Sequence, residues 1–186
     1  MKLRTLLLLF CFQPILFSCN QNQPKNNERS STESDDKAKP NKTLQNTEQK
    51  KKVWIDADVA VGMKRYEREG YSDVDDGYAI LQLFKAENID VKGMSAVFGN
   101  TRIDDAYRIS QKMADDFAPY DISVFKGAGT ALNLDKIETN DAVEALARQL
   151  RKEALHILAI GPATNIATLV LLYPELKSQI KEVVLV

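Results

Sequence analysis

From Val53 onward, two kinds of apolar spacing alternate along the chain. Continuous apolar runs of strand length recur at "KVWIDA", "VKGMSAVFG", "ISVFKG", "ALHILAI" and "EVVLV". Between them lie segments with helical spacing. Ala79, Ile80, Leu83 and Phe84 mark the first, "DDGYAILQLFKAEN". Ile103, Ala106, Tyr107, Ser110 and Met113 share one face of "RIDDAYRISQKMADDF". A third helix is predicted over "NDAVEALARQLRKE", with Asn140 or Thr139 as N-cap. The fourth, "TNIATLVLLYPELKSQI", should bend or end near Pro174. Buried-type strands alternating with helices predict an α/β fold. Its sheet should be mostly parallel and Rossmann-like, with helices on both faces.

The pattern before Val53 is different. Lys2 and Arg4 precede the apolar stretch "LLLLFCF" and "ILF", the layout of an export signal over residues 1–18. Gln13 and Pro14 interrupt it, which makes it too short for a spanning helix. Its end, "LFSC", resembles a bacterial lipobox, and that resemblance implies cleavage before Cys19 and acylation of its thiol. Acyl chains contribute roughly 0.8 kcal/mol per buried methylene, enough to hold the protein on an envelope membrane. Residues 19–52 are rich in Asn, Gln, Lys, Ser and Glu and bury too little apolar surface to fold, so they read as a tether. The expected organisation is therefore a leader, a tether and a folded part over residues 53–186, exported and lipid-anchored.

Composition narrows the chemistry. With 25 basic and 26 acidic residues the net charge is −1, so bulk electrostatics gives no reason to expect nucleic-acid binding. Both cysteines, Cys11 and Cys19, precede the folded part, which is left without a disulfide or a thiolate metal site.

Ligands of parallel sheets collect beyond the carboxyl ends of the strands. Asp56 and Asp58 end the first strand, Asn100 follows the second in "VFGN", and "GPATN" (161–165) follows the fourth. A second acidic group, Asp73, Asp75 and Asp76, precedes the first helix. Crowded carboxylates need a proton or a cation between them, and an oxygen-only set favours Ca²⁺ or Mg²⁺.

These residues resemble the nucleoside hydrolases. "IDAD…DVDD" with "VFGN", followed by "LAIGPATNIATLVLLYPELKSQIKEVVLV", is similar to that family across the whole folded part. The resemblance implies cleavage of the N-glycosidic bond of ribonucleosides by Ca²⁺-activated water. Asp58 would be a Ca²⁺ ligand and the general base, Asp76 a second ligand, and the Ile160 carbonyl a third. Asp75 and Asn100 would hold the sugar, and Asp56 would support the ligands by hydrogen bonding. A homo-oligomer is left open.

Three departures from the family pattern stand out. Asp58 and Asp75 are 17 positions apart, so residues 59–74 form an insertion; its Lys64, Arg65, Glu67, Arg68 and Glu69 read as a solvated loop rather than a lid. "GAGTALNLDKIET" replaces a histidine-bearing loop. The chain ends at "KEVVLV", where the family usually continues, so the fold is expected to be incomplete at its C-terminus. The single histidine, His156, falls within an apolar strand and reads as structural. Thr164 and Asn165 read as caps of the last helix, and Asp104 and Asp105 as first-turn helix acids. Two rival readings remain: a surface lipoprotein that binds nucleosides or sugars without catalysis, and a haloacid-dehalogenase-like phosphatase with Asp56 as nucleophile.

Overall fold

The computed structural model describes residues 49–65 and 69–186. The expected leader, Cys19 and nearly all of the tether lie outside the described residues, as do Tyr66, Glu67 and Arg68 of the insertion. Among the described residues, no helix is long and apolar enough to cross a membrane.

Among the described residues, five strands and four helices alternate: β1 (Lys51–Ala57), α1 (Asp75–Lys85), β2 (Ile89–Ala96), α2 (Ile103–Phe117), β3 (Val124–Lys126), α3 (Asp141–Lys152), β4 (Leu155–Ile160), α4 (Thr164–Leu172) and β5 (Ile180–Leu185). A 3₁₀ turn, Pro174–Gln179, joins α4 to β5. Proline at its start has no N–H to continue the α-helical ladder, which is why α4 stops where it does. The strands form one parallel sheet in the order β3-β2-β1-β4-β5.

Alternation along β1 divides the core into two layers. Val53, Ile55 and Ala57 pack with Ile80 and Phe84 of α1 and with Ile109 and Met113 of α2. Trp54 faces the other way, into Leu146 and Leu150 of α3 and Ile166 and Leu169 of α4. Helices thus cover both faces of the sheet, as the strand pattern requires. Burying side chains of this size stabilises the fold by roughly 1.5–3 kcal/mol each. Trp54 stacks on Phe125 with ring centroids 5.8 Å apart. Gly93 makes room for that indole, since a Cβ there would lie 2.4 Å from its ring.

The insertion is more structured than its charges suggest. Val59 and Ala60 are buried and Met63 packs on the α1–α2 layer. Beyond them the chain folds back as a short antiparallel pairing of Lys64 with Tyr71, closed by Ser72 N–H to the Met63 carbonyl (2.8 Å) and Arg65 N–H to the Gly70 carbonyl (3.1 Å). Arg65 pairs with Asp73 at 2.9 Å. Val59, Ala60 and Met63 anchor the segment, and Lys64 and Glu69 are exposed.

His156 is half-buried rather than enclosed, because β5 covers it only in part. Its Nδ1 lies 3.3 Å from Glu182 Oε2 on the neighbouring strand. Asn140 is the N-cap of α3, accepting the Val143 N–H at 3.0 Å. On β5, Val183, Val184 and Leu185 are exposed.

Candidate active site

The sheet order places a reversal at β1. From β1 the chain moves outward through β2 to β3, then returns to lay β4 on the other side of β1. In sheets of this kind ligands bind beyond the carboxyl ends of the strands at such a reversal, here beyond β1 and β4. In register, Asp56 lies between Ser95 of β2 and Ala159 of β4, and Ala57 lies between Ala96 and Ile160. Asp58 is the first residue past that edge.

Asp58 is buried, and the turn after β2 is built around it. Its Oδ2 accepts the Asn100 backbone N–H at 2.7 Å, and its Oδ1 lies 3.5 Å from Asn100 Nδ2. Two glycines permit this approach. A Cβ at Gly99 would fall 1.9 Å from Asp58 Oδ2, and one at Gly161 would fall 3.0 Å from Oδ1. Gly99 and Asn100 of "FGN" and Gly161 of "GPATN" therefore enclose one carboxylate from two directions, and Ile160 sits directly before the second glycine.

Asp76 comes from the first turn of α1, where free backbone N–H groups favour an anion. It is buried, and its Oδ2 has no hydrogen-bond donor. Burial is the largest influence on it, and the adjoining Asp58 carboxylate adds to the effect, pushing its pKa up to about 7. Asn100 partly opposes that rise by hydrogen bonding. Asp75, one residue earlier, is exposed at the helix start.

Asp56 is fully enclosed. Its Oδ1 accepts a hydrogen bond from the Ser95 hydroxyl and another from Asn165 Nδ2 at 2.8 Å. Ser95 in turn accepts Trp54 Nε1–H at 3.0 Å. Asp56 Oδ2 has no partner. Burial lifts its pKa to about 6 against the lowering effect of the two hydrogen bonds, with Asp58 raising it further. A carboxylate so enclosed is not placed to attack a phosphoester, so the phosphatase reading has no support in this geometry.

The fold thus gathers Asp56, Asp58, Asp76 and Asn100 at one edge, with Ile160 beside them. Asp73 stays outside, paired with Arg65. One expectation is overturned. Asn165 does not cap α4, whose N-cap is Ala163 with no side-chain bond; instead its buried amide points under the sheet edge toward Asp56. The reason is that the turn Gly161–Ala163 puts Ala163 at the cap, so Thr164 and Asn165 both fall inside the first turn of the helix. Ser95 and Asn165 are the residues that sequence reasoning missed as part of this site. A lone polar residue inside the apolar strand "GMSAV" was the available signal for Ser95.

The crowd of oxygens fits a hard cation. Two adjoining carboxylates, one with a buried oxygen lacking any donor, are stabilised by a positive charge or a shared proton. Among the described residues, no three His, Cys, Asp or Glu side chains are assembled as a ready metal cluster.

These features define a parallel α/β protein with an acidic site at its switch point. The chain belongs to the inosine-uridine preferring nucleoside hydrolase family, which it matches over residues 53–186. Members of that family are generally metal-dependent, often on Ca²⁺. Over 136 residues it is 30% identical to a pyrimidine-specific ribonucleoside hydrolase of Citrobacter koseri, covering 60% of this chain and 44% of that protein. Among solved structures, its fold is similar to a purine-preferring ribonucleoside hydrolase from Gardnerella vaginalis (TM-score 0.59, 22% identity, 73% of this chain and 48% of that one). A plant nucleoside hydrolase is alike to a comparable degree (TM-score 0.58, 22% identity, 73% and 47%). The chain spans under half the length of these relatives.

Proposed function

We propose that the protein hydrolyses the N-glycosidic bond of ribonucleosides, releasing ribose and a free base. The observation that carries this reading is the Asp58–Asp76 pair at the switch point, with Asp76 Oδ2 buried and unpartnered. Asp58, Asp76 and the Ile160 carbonyl would hold Ca²⁺, which when bound lowers the pKa of water.

Each side chain then has a definable task. Asp58, steadied through Asn100, accepts the proton of the attacking water as general base. The water oxygen forms a bond to the anomeric carbon while the carbon–nitrogen bond breaks toward the base. The sugar passes through an oxocarbenium-like state, as in other glycoside cleavages. Carboxylates below the ring stabilise its positive charge. Asp75, exposed at the start of α1, is the group available to ribose hydroxyls. Asn100 would also sit on the sugar side, its backbone N–H held by Asp58. Asp56 acts from beneath as a buried negative charge, held by Ser95 and Asn165.

The relatives are named for pyrimidine and for purine preference, so both kinds of base belong in the assay. Full-length protein should release ribose from uridine or inosine in the presence of Ca²⁺. Asp58→Asn should slow release by roughly 10²–10⁴-fold, the usual worth of a general base. Saturable nucleoside binding with no ribose released by the wild type would replace this reading with that of a binding protein. We place the protein on an envelope membrane through Cys19. Labelled palmitate should enter the wild-type chain and not Cys19→Ala; equal labelling would remove the anchor.

A further inference from the structure

The hydrogen bonds around the site close into a ring that passes through one residue, Asn165. Beginning at Asp58, its Oδ2 accepts the Asn100 N–H at 2.7 Å. Two residues back along the same turn, the Phe98 N–H donates to the Ala128 carbonyl at 2.9 Å. Ala128 N–H donates to Asn165 Oδ1 at 2.8 Å. Asn165 Nδ2 donates to Asp56 Oδ1 at 2.8 Å, and Asp56 leads back along β1 to Asp58. The same Nδ2 lies 3.2 Å from the Ala96 carbonyl, at the end of β2 where the turn begins. Asn140, the α3 N-cap, completes the set with Nδ2 3.3 Å from Asn165 Oδ1.

The geometry points to Asn165 as the positioning residue that sets the 97–101 turn, and through it the orientation of the Asp58 carboxylate. Four features support this. Asn165 is 1% exposed, so its amide has no water to turn to. Its donor and acceptor are both used, which fixes the amide orientation. Its partners come from β1, β2, the loop after β3 and the start of α3, so one side chain registers four segments. Gly127 is pressed against it as well; a Cβ there would fall 2.3 Å from Asn165 Nδ2 and 2.3 Å from the Ala96 carbonyl. Turning the Asn165 amide would leave its buried donor and acceptor unpaired, and that cost holds it in one arrangement.

The catalytic consequence rests on the hydrolase reading above, but the structural consequence does not. The test therefore reads the Asn100 amide of the full-length protein by NMR, without substrate. In the wild type this amide should be shifted downfield and protected from exchange by its bond to a carboxylate. In Asn165→Ala it should move upfield and exchange about tenfold faster or more. Gly127→Ala, which wedges the same amide from the loop side, should do likewise, and serves if Asn165→Ala does not fold. Leu150→Val, a core change on α3 away from the ring, should lower thermal stability and leave the Asn100 amide where it is. An Asn100 amide unchanged in either folded ring variant overturns the proposal, as does an equal change in Leu150→Val. Where the wild type hydrolyses nucleosides, Asn165→Ala should also lose activity by roughly 10–100-fold, as for other groups that orient metal ligands. Wild-type protein without ribose release sinks the hydrolase reading alone, since the amide measurement stands without it.

Discussion

At the scale of single residues, the site is defined by carboxylates kept where they do not readily ionise. Asp76 is pushed up to about 7 and Asp56 to about 6, both from 3.8 and both chiefly by burial. In the ion-free protein these groups keep their protons in the folded state at a pH where the unfolded chain has released them. The folded chain therefore binds more protons than the unfolded one between pH 3.8 and about 7. Stability from this source is present below that window and is lost as pH rises through it. The melting temperature of chelator-treated protein should accordingly fall from about pH 5 to about pH 7.5. Asp76→Asn, which cannot ionise, should flatten that slope; a slope identical to wild type would show that Asp76 is not its source. Asp58 contributes differently, because glycine at 99 and 161 lets backbone approach its carboxylate where any other residue would collide.

At the scale of elements, what could be read from the sequence was whatever depended on neighbours a few residues away. The order of strands and helices followed from apolar spacing, and the Asn140 cap followed from its place before a helical stretch. Asn140→Ala should cost about 1 kcal/mol by chemical denaturation, with a loss near zero showing that the cap is dispensable. The α3–α4 layer should register the change first, since α3 packs there. The carboxylates at the end of β1 were legible because strand ends of parallel sheets collect ligands. Ser95 and Asn165 were not, since they meet Asp56 across 39 and 109 residues of sequence. The docked insertion was hidden for a related reason: its charges dominate the pattern, whereas Val59, Ala60 and Met63 decide where it lies. Strand β3 was overestimated because only Val124–Lys126 find partners on β2 at that edge of the sheet.

At the scale of the whole molecule, the candidate site joins pieces that the sheet alone does not hold together. Asp58 follows β1, Asp76 lies in the first turn of α1 beyond the insertion, and Ile160 closes β4. The link between Asp58 and Asp76 is repulsive when both are ionised, so the ion-free fold carries an internal opposition at the point where three elements meet. A cation that binds only the folded state removes that opposition and adds its binding free energy to stability. At a free concentration of about 100 times Kd, the gain is about 2.7 kcal/mol. Full-length protein should therefore melt several degrees higher in Ca²⁺ than in chelator at neutral pH. The difference should shrink at pH 5, where protons already neutralise Asp76, and vanish in Asp58→Asn. The neutral-pH dependence separates a true site from diffuse ion binding, which would follow total surface charge and persist in the variant. Equal melting temperatures with and without Ca²⁺ at pH 7 would mean that a shared proton holds the two carboxylates together, and the proposed ligand set of Asp58, Asp76 and Ile160 would have to be given up.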